Sequence, residues 1–125
     1  MYHKDLEAWK KAMALVKDIY EITDVFPDSE IYGLASQMRR CAVSIPSNLA
    51  EGFARFSQNE KLRFLELSLG SLAELETQLL ISADLKYIKN LDNIMDKIRE
   101  VNALYLCLYK YIKTNKTDEK EFNTH

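Results

Sequence analysis

The hydrophobic positions of this chain recur at helical spacing in four successive stretches, a pattern that predicts four long helices. In the first stretch, from Leu6 to Thr23, two parallel apolar stripes together cover about 200° of the helix surface. The first stripe is Leu6, Trp9, Met13, Val16, Tyr20 and Thr23, and the second is Ala8, Ala12, Leu15, Ile19 and Ile22. Because a helix of a monomeric bundle usually needs a narrower stripe, this width predicts contacts on two sides.

The second predicted helix begins near Glu30, after a break at Pro27, and Asp28 or Ser29 is expected to cap it. Its apolar seam is Ile31, Leu34, Met38, Ala42 or Cys41, Ile45, Leu49 and Phe53. Pro46 lies within this seam. Because the periodicity continues past the proline, we interpret the segment as one continuous helix that is kinked at Pro46.

An alternative for this segment is a helix that stops at Ile45 and restarts, with Asn48 and Glu51 as a capping box. Gly52 is expected to end the second helix in a left-handed conformation. Phe53 and Phe56, alternating with Arg55, are then expected to cover the end of the bundle.

The third predicted helix runs from Gln58 to Leu85 and begins with a capping box formed by Ser57 and Glu60. Its seam is Leu62, Leu65, Leu69, Leu72, Leu75, Leu79 and Ala83. Gly70, with Ser68 and Ser71, forms a waist of small residues. This waist predicts the close approach of another helix, and a tolerated defect is the alternative.

The fourth predicted helix has the most regular seam, and Asn90 or Asp92 is expected to cap it. The seam is Leu91, Ile94, Ile98, Val101, Tyr105, Leu108 and Ile112. The four helices and their short connections predict an all-α fold, an antiparallel up-down-up-down four-helix bundle with helix two kinked at Pro46. Residues 1–113 are expected to form this single domain, and the polar segment 114–125 is expected to be a disordered tail.

The composition argues against several classes of protein. A net charge of −2 over 125 residues is unfavourable for a chain whose whole surface binds nucleic acid or a membrane. No apolar run is long enough to span a bilayer, so we expect a soluble protein. Cys41 and Cys107 stand far apart and no secretory signal precedes them, which predicts reduced thiols in the cytoplasm and neither a disulfide nor a zinc site.

An enzyme is not expected from this sequence. Both histidines, His3 and His125, lie in the terminal segments, and no glycine-rich phosphate loop is present. Glu51 is the one acid placed in a row of small polar residues, where a lone carboxylate is more often structural. We therefore predict no catalytic residues, no metal and no cofactor.

Basic residues concentrate between Gln37 and Phe64, where they outnumber acids by five to two. The bases are Arg39, Arg40, Arg55, Lys61 and Arg63, the acids are Glu51 and Glu60, and Phe53, Phe56 and Phe64 lie among them. This pattern makes the five bases candidate nucleic-acid-binding residues. The alternative is that they pair with neighbouring acids or stay solvated.

A ladder of polar residues follows one face of the second helix. Its members are Gln37, Arg40, Ser44, Ser47, Asn48, Glu51 and Arg55. We interpret Gln37, Ser44, Asn48 and Glu51 as a structural polar network that locks helices or subunits together.

Two long segments resemble a known family. They are "FPDSEIYGLASQMRRCAVSIPSNLAEGFARFS" and "FLELSLGSLAELETQLLISADLKYI", and with "LEAWKKAMALVKDIY" the similarity covers nearly everything from Leu6 to Ile112. The chain thus resembles the four-helix bundle proteins encoded within intervening sequences of bacterial 23S rRNA genes. The resemblance implies a ring-like homopentamer with no established biochemical role, for which RNA association follows from gene context alone.

Two functions from different classes remain open at this point. The first is a non-enzymatic, ring-forming homo-oligomer that binds RNA through a basic rim. The second is a scaffold or adaptor that binds another protein and no nucleic acid. The wide apolar faces and the tyrosines of the fourth helix, Tyr105, Tyr109 and Tyr111, suit self-assembly in both cases.

Overall fold

The computed structural model of this chain describes the backbone of residues 2–123 and the side chains of residues 2–115. Its four α-helices are α1 (Glu7–Asp24), α2 (Leu34–Phe53), α3 (Gln58–Asp84) and α4 (Leu91–Asn123). Short 3-10 turns at His3–Asp5 and Asp28–Glu30 precede α1 and α2. Since the described backbone contains no strand, the predicted all-α four-helix bundle is confirmed.

The helices surround one core in chain order. Each helix packs against its neighbours in the chain, and α4 also packs against α1. Lys11 of α1 pairs with Glu100 of α4 at 3.2 Å, and Asp18 pairs with Lys97 at 3.0 Å, so these two helices run in opposite directions. Contacts between α2 and α3 follow the same antiparallel order. The complete up-down-up-down order stays a prediction.

The apolar seams of α2, α3 and α4 supply most of the core, as their spacing predicts. In α1 the second stripe is the buried one, whereas the first stripe is partly exposed. Met13 and Tyr20 of that first stripe are each 44% exposed. Within one chain, therefore, only one of the two apolar stripes of α1 is buried, and the other is partly exposed to solvent.

Two buried hydroxyl groups converge on the backbone carbonyl of Ile45, directly before Pro46. Ser68 Oγ of α3 donates to this oxygen at 2.9 Å, and Tyr105 OH of α4 donates at 3.0 Å. Both side chains are fully buried, and burial raises the pKa of Tyr105 well above its usual value, so the phenol stays a neutral donor. We refer to Ile45, Ser68 and Tyr105 as the Ile45 node, which joins α2, α3 and α4 at the residue before Pro46.

The helix α2 continues through Pro46 to Phe53. The continuous helix is therefore confirmed, and the alternative of a stop at Ile45 and a restart is wrong. The kink at Pro46 stays a prediction.

The start of α2 differs from the expected one. A 3-10 turn occupies Asp28–Glu30, and α2 begins at Leu34, after Gly33 with φ −110° and ψ −116°. The cap is neither Asp28 nor Ser29, because the Glu30 carboxylate accepts a hydrogen bond from the Leu34 amide at 3.3 Å. Tyr87 OH donates to the same carboxylate at 3.1 Å, which ties the α1–α2 connection to the α3–α4 connection.

Gly52 does not end α2 in a left-handed conformation. It lies inside the helix, and no described glycine has a positive φ. A Cβ at this position would lie 2.8 Å from the Cβ of Phe64. Glycine is therefore needed because α3 approaches α2 closely here.

Gly70 shows the opposite situation. A Cβ at this position would meet none of the described atoms within 4 Å, so no helix of the same chain approaches it. Its neighbours Ser68 and Ser71 do face α2, because they lie on the inner side of α3. In the small-residue waist, Ser68 and Ser71 thus contact α2, whereas Gly70 faces away from the other helices of the chain.

The ends of α3 and α4 give three further outcomes. Ser57 caps α3, since its side chain accepts a hydrogen bond from the Glu60 amide. The Glu60 carboxylate binds Arg63 and does not complete the capping box.

Asn90 directly precedes α4. The backbone of α4 continues as a helix through residues 114–123, which were expected to lie outside it. The division into a domain of residues 1–113 and a disordered tail stays a prediction, and residues 124–125 with His125 lie outside the described residues.

Candidate nucleic-acid interface

The five candidate basic residues lie in two separate groups rather than in one patch. Arg39 and Arg40 are in the first half of α2, whereas Arg55, Lys61 and Arg63 surround its end and the first turn of α3. At ~1.5 Å per residue, Arg39 and Arg55 are about 24 Å apart along the helix axis. The structure therefore brings together three of the five residues.

Arg39 is held against α1 by neutral partners. Its Nε donates to Thr23 Oγ1 at 2.8 Å, and its guanidinium lies 4.8 Å from the centroid of the Tyr20 ring. Among the described side chains, no carboxylate lies within ion-pair distance of Arg39. Arg39 thus packs α1 onto α2 while keeping its full charge.

Arg40 lines a shallow groove between α2 and α3. It donates to Ser36 Oγ at 3.3 Å, and the groove also contains Gln37, Ser44 and Glu74. Because an acid lies in the same groove, this surface is of mixed charge.

The remaining three bases form the α2–α3 turn, which we define as residues 53–64. Arg55 pairs with Glu51 at 3.1 Å, and Arg63 pairs with Glu60 at 3.1 Å. Arg63 lowers the pKa of Glu60, so this carboxylate stays ionised. The Lys61 ammonium donates to the Arg55 carbonyl oxygen, and within residues 2–115 it has no carboxylate partner.

Aromatic rings hold these cations in place. The guanidinium groups of Arg55 and Arg63 lie 5.3 and 4.5 Å from the centroid of the Phe64 ring. Lys61 lies 5.7 Å from the centroid of the Phe53 ring. Such contacts orient the cations while leaving them near water, where a phosphate can reach them.

Phe56 does not cover the end of the bundle, as the sequence suggested, because its side chain is fully exposed. Phe53 is partly buried against the core. The difference arises because Phe53 is the last residue of α2, whereas Phe56 lies in the connection, where its side chain is not packed against a helix.

The predicted polar network divides in the same way as the basic residues. Ser44 Oγ lies 2.7 Å from Ser71 Oγ and 2.6 Å from the Cys41 carbonyl oxygen, which links α2 to α3. Asn48 Nδ2 donates to the Ser44 carbonyl at 2.9 Å.

The other two members of the network, Gln37 and Glu51, are exposed. Glu51 binds only its own helix neighbour Arg55 in the structure as described. The role of these four residues as a lock between helices or subunits stays a prediction.

The described side chains include no group of three or more His, Cys, Asp or Glu residues that could hold a metal ion. Cys41 is buried, donates to the Ser71 carbonyl at 3.0 Å, and has its pKa raised to about 12, first by burial and then by Glu74. A thiol with that pKa is protonated at neutral pH and is a poor nucleophile.

Comparison with known proteins identifies the family of this bundle. The sequence profile of the family described as 23S rRNA-intervening sequence protein matches residues 4–106. The chain belongs to this family. The match includes α1, α2, α3 and the first half of α4, and therefore both the Ile45 node and the α2–α3 turn.

A solved structure supports the fold of this intervening-sequence protein. It is the crystal structure of a protein with unknown function from the S23 ribosomal protein family of Bacteroides thetaiotaomicron, with a TM-score of 0.77 and 19% sequence identity. The similarity covers 88% of this chain and 99% of that chain. No curated protein matches the sequence.

None of the described helices combines the length and the apolar run needed to cross a membrane. Tyr111, which was expected from the sequence to serve self-assembly and not nucleic-acid binding, completes the candidate interface. Tyr111 of α4 lies beside the α2–α3 turn, where it lines a cleft together with Phe56 and Lys61. No local sequence signal marks this contact, because it depends on how α4 packs against the end of α2.

Proposed function

We propose that this intervening-sequence protein is a non-enzymatic, ring-forming homo-oligomer that binds RNA at the α2–α3 turn of each copy. The observation that carries the RNA-binding part is the gathering of Arg55, Lys61 and Arg63 on aromatic rings at one exposed end of the bundle. Lysine and arginine contacts to phosphate supply most of the sequence-independent affinity for a nucleic acid.

Assembly is needed because one chain alone is a weak binder of polyanions. Two of the three turn cations are neutralised by Glu51 and Glu60, and the whole chain has a net charge of −2. A ring repeats the turn in every copy around one axis, so that the local positive potentials add. The family resemblance favours five copies, and the free thiols of Cys41 and Cys107 favour a cytoplasmic location.

Two different exposed apolar faces support this assembly. One face contains Met13 and Tyr20 of α1, and the other contains Leu67 and Ile81 of α3, each 44 to 45% exposed. Because these faces are not the same patch, a contact between them is head-to-tail, which excludes a two-fold dimer and forms a ring when the rotation between successive copies closes.

Gly70 offers a test of the α3 face. Since a Cβ there meets no described atom within 4 Å, Gly70→Arg fits the single chain but would clash with a second copy packed on this face. We expect Gly70→Arg to reduce the mass measured by light scattering, whereas Gly70→Ala keeps the oligomer. An unchanged mass for Gly70→Arg would exclude this face as the interface, and a monomeric wild-type protein would contradict the proposal.

RNA binding is tested by fluorescence anisotropy with a labelled RNA at several salt concentrations. We expect affinity that falls steeply with salt, because binding by phosphate contacts releases counterions. No binding at low salt would contradict the proposed function.

A second candidate function, a protein-binding scaffold or adaptor, is favoured by the opposite end of the bundle. Tyr32 is 95% exposed and Val25 is 78% exposed, and four acids with no base lie between Glu21 and Gly33. Exposed apolar side chains rimmed by charge are typical of protein contacts. A ring that binds no RNA even at low salt would favour this function over the first.

A further inference from the structure

A cleft of about 370 Å³ opens beside the α2–α3 turn, between this turn and α4. Its turn side includes Phe56, Gln58 and Lys61, and its α4 side includes Tyr111 and Ile112. The volume lies at the lower end of the range for small-ligand sites, which suits one planar group rather than an extended molecule.

Two aromatic side chains at this cleft face solvent. Phe56 is fully exposed and Tyr111 is 55% exposed, although both are large apolar groups in a chain with an ordinary buried core. The Phe56 ring takes part in none of the ring–ring or cation–ring contacts among residues 2–115. Its exposure is therefore not explained by packing within the chain, and an aromatic ring presented in this way is a stacking surface.

Polar groups of the same cleft complement a nucleotide. Lys61 supplies a positive charge that no described carboxylate neutralises. Gln58 lines the cleft, and its Oε1 is buried without a hydrogen-bond partner among the described residues. Because this oxygen is buried, a base edge reaches it only if the Gln58 side chain turns toward the cleft, and the hydrogen bond formed then satisfies an atom that is unpaired in the free chain.

We infer that this cleft binds one unpaired nucleotide of a single-stranded RNA, with the base stacked on Phe56 and Tyr111 and a phosphate beside Lys61. This inference rests on the proposed RNA binding and narrows it to single strands. In a duplex the faces of the bases are covered by their neighbours, so that only backbone contacts with Arg55, Lys61 and Arg63 remain.

The experiment uses the full chain with three probes: a labelled oligoadenylate, its duplex with oligouridylate, and adenosine monophosphate. Phe56→Ala is compared with wild type and with Tyr32→Ala, which removes an equally exposed aromatic ring from the opposite end of the bundle. We expect Phe56→Ala to weaken oligoadenylate binding roughly five- to 150-fold, the range for loss of one stacked base, and to leave duplex binding unchanged. Phe56→Tyr should restore binding, and Tyr32→Ala should have no effect.

The remaining outcomes separate this inference from the proposed function. Equal affinity of wild type and Phe56→Ala for oligoadenylate, with binding that still falls with salt, would overturn the stacking site and leave RNA binding standing. Adenosine monophosphate bound as tightly as the oligonucleotide would overturn the assignment to RNA in favour of a free nucleotide. No binding of either RNA at low salt would overturn both. Circular-dichroism melting of each variant confirms that the fold is intact.

Discussion

The stretch "SIPSNLAEGFARFS" contains the middle of α2 and the first part of the α2–α3 turn, yet the polar groups of these two regions make different contacts. In the middle, Ser44 contacts Ser71 across the helix interface, and the Ile45 carbonyl accepts two buried hydroxyls. At the turn, Arg55 and Lys61 remain near water, where Arg55 pairs with Glu51 and Lys61 donates to the Arg55 carbonyl.

The difference follows from burial. Neutral hydroxyls can be buried at small cost when each finds an acceptor, whereas cations are expensive to bury and remain at the surface. The middle of α2 therefore stabilises the bundle, and the turn retains charge for a ligand. Variants of the two regions should accordingly separate stability from binding.

The largest effect on stability is expected at the Ile45 node. Tyr105→Phe and Ser68→Ala each remove one hydroxyl bonded to the Ile45 carbonyl, and each should lower the free energy of unfolding by about 1 to 3 kcal/mol. The measurement is chemical denaturation at fixed protein concentration. Tyr109→Phe is the control, since its hydroxyl meets Glu66 at an exposed position, and an equal loss there would contradict a special role of the node.

Reversing charge at the turn should change binding and not stability. Lys61→Glu with Arg63→Glu should weaken RNA binding by at least about tenfold and make it less dependent on salt. The matched control is Lys86→Glu with Lys89→Glu in the α3–α4 connection, which should bind RNA as the wild type does. Equal weakening by both pairs would mean that total charge, and not the turn, determines binding.

Gly52 lies at the boundary between the two regions. Gly52→Ala should lower the free energy of unfolding by about 1 kcal/mol, because the gain in helix propensity is smaller than the cost of moving Phe64 away from the new Cβ. Gly70→Ala should instead raise it by about 0.5 to 1 kcal/mol in the single chain. Thermal melting compares the two variants, and a stabilised Gly52→Ala protein would show that the close contact is not limiting.

Alkaline pH should lower the stability of the fold through the Cys41 thiol in the middle of α2. The pKa of Cys41 is raised from 9.0 to about 12 in the folded chain, so the unfolded chain loses this proton first. Stability from the neutral thiol is complete below pH 9 and is lost as the pH rises toward 12. Cys41→Ala should flatten this decline in melting temperature, and Cys107→Ala, at an exposed position, should not.

The smallest effect is expected for Glu51. Glu51→Ala removes an exposed ion pair with Arg55 and should lower the free energy of unfolding by less than about 0.5 kcal/mol. A loss above 1 kcal/mol, measured by denaturation, would place Glu51 in the structural network that its sequence position suggested.

The sequence was sufficient to predict features that depend on periodicity and local capping. The seams of α2, α3 and α4 are buried or partly buried as expected, and Ser57 caps α3. Ile31 is the exception, because it precedes α2 and is 52% exposed. Features that depend on which helices meet were not predictable. Gly52 looked like a helix end because the closeness of Phe64 is invisible in the sequence, and the Ile45 node joins residues from three helices.

The candidate site was predicted only in part for the same reason. Five bases that are close in sequence separate because the helical rise from Arg39 to Arg55 amounts to about 24 Å along α2. The contribution of α4 to the turn could not be read from spacing, since Tyr111 is distant in sequence.

The central claim is that the protein assembles and that the assembled form binds RNA at the α2–α3 turn. Size-exclusion chromatography with light scattering of the protein mixed with single-stranded RNA, at low and at high salt, tests both parts at once. We predict a particle of several times the chain mass of 14.5 kDa that carries RNA at low salt and releases it at high salt without dissociating. A particle of 14.5 kDa, or an oligomer free of RNA at low salt, would contradict the account.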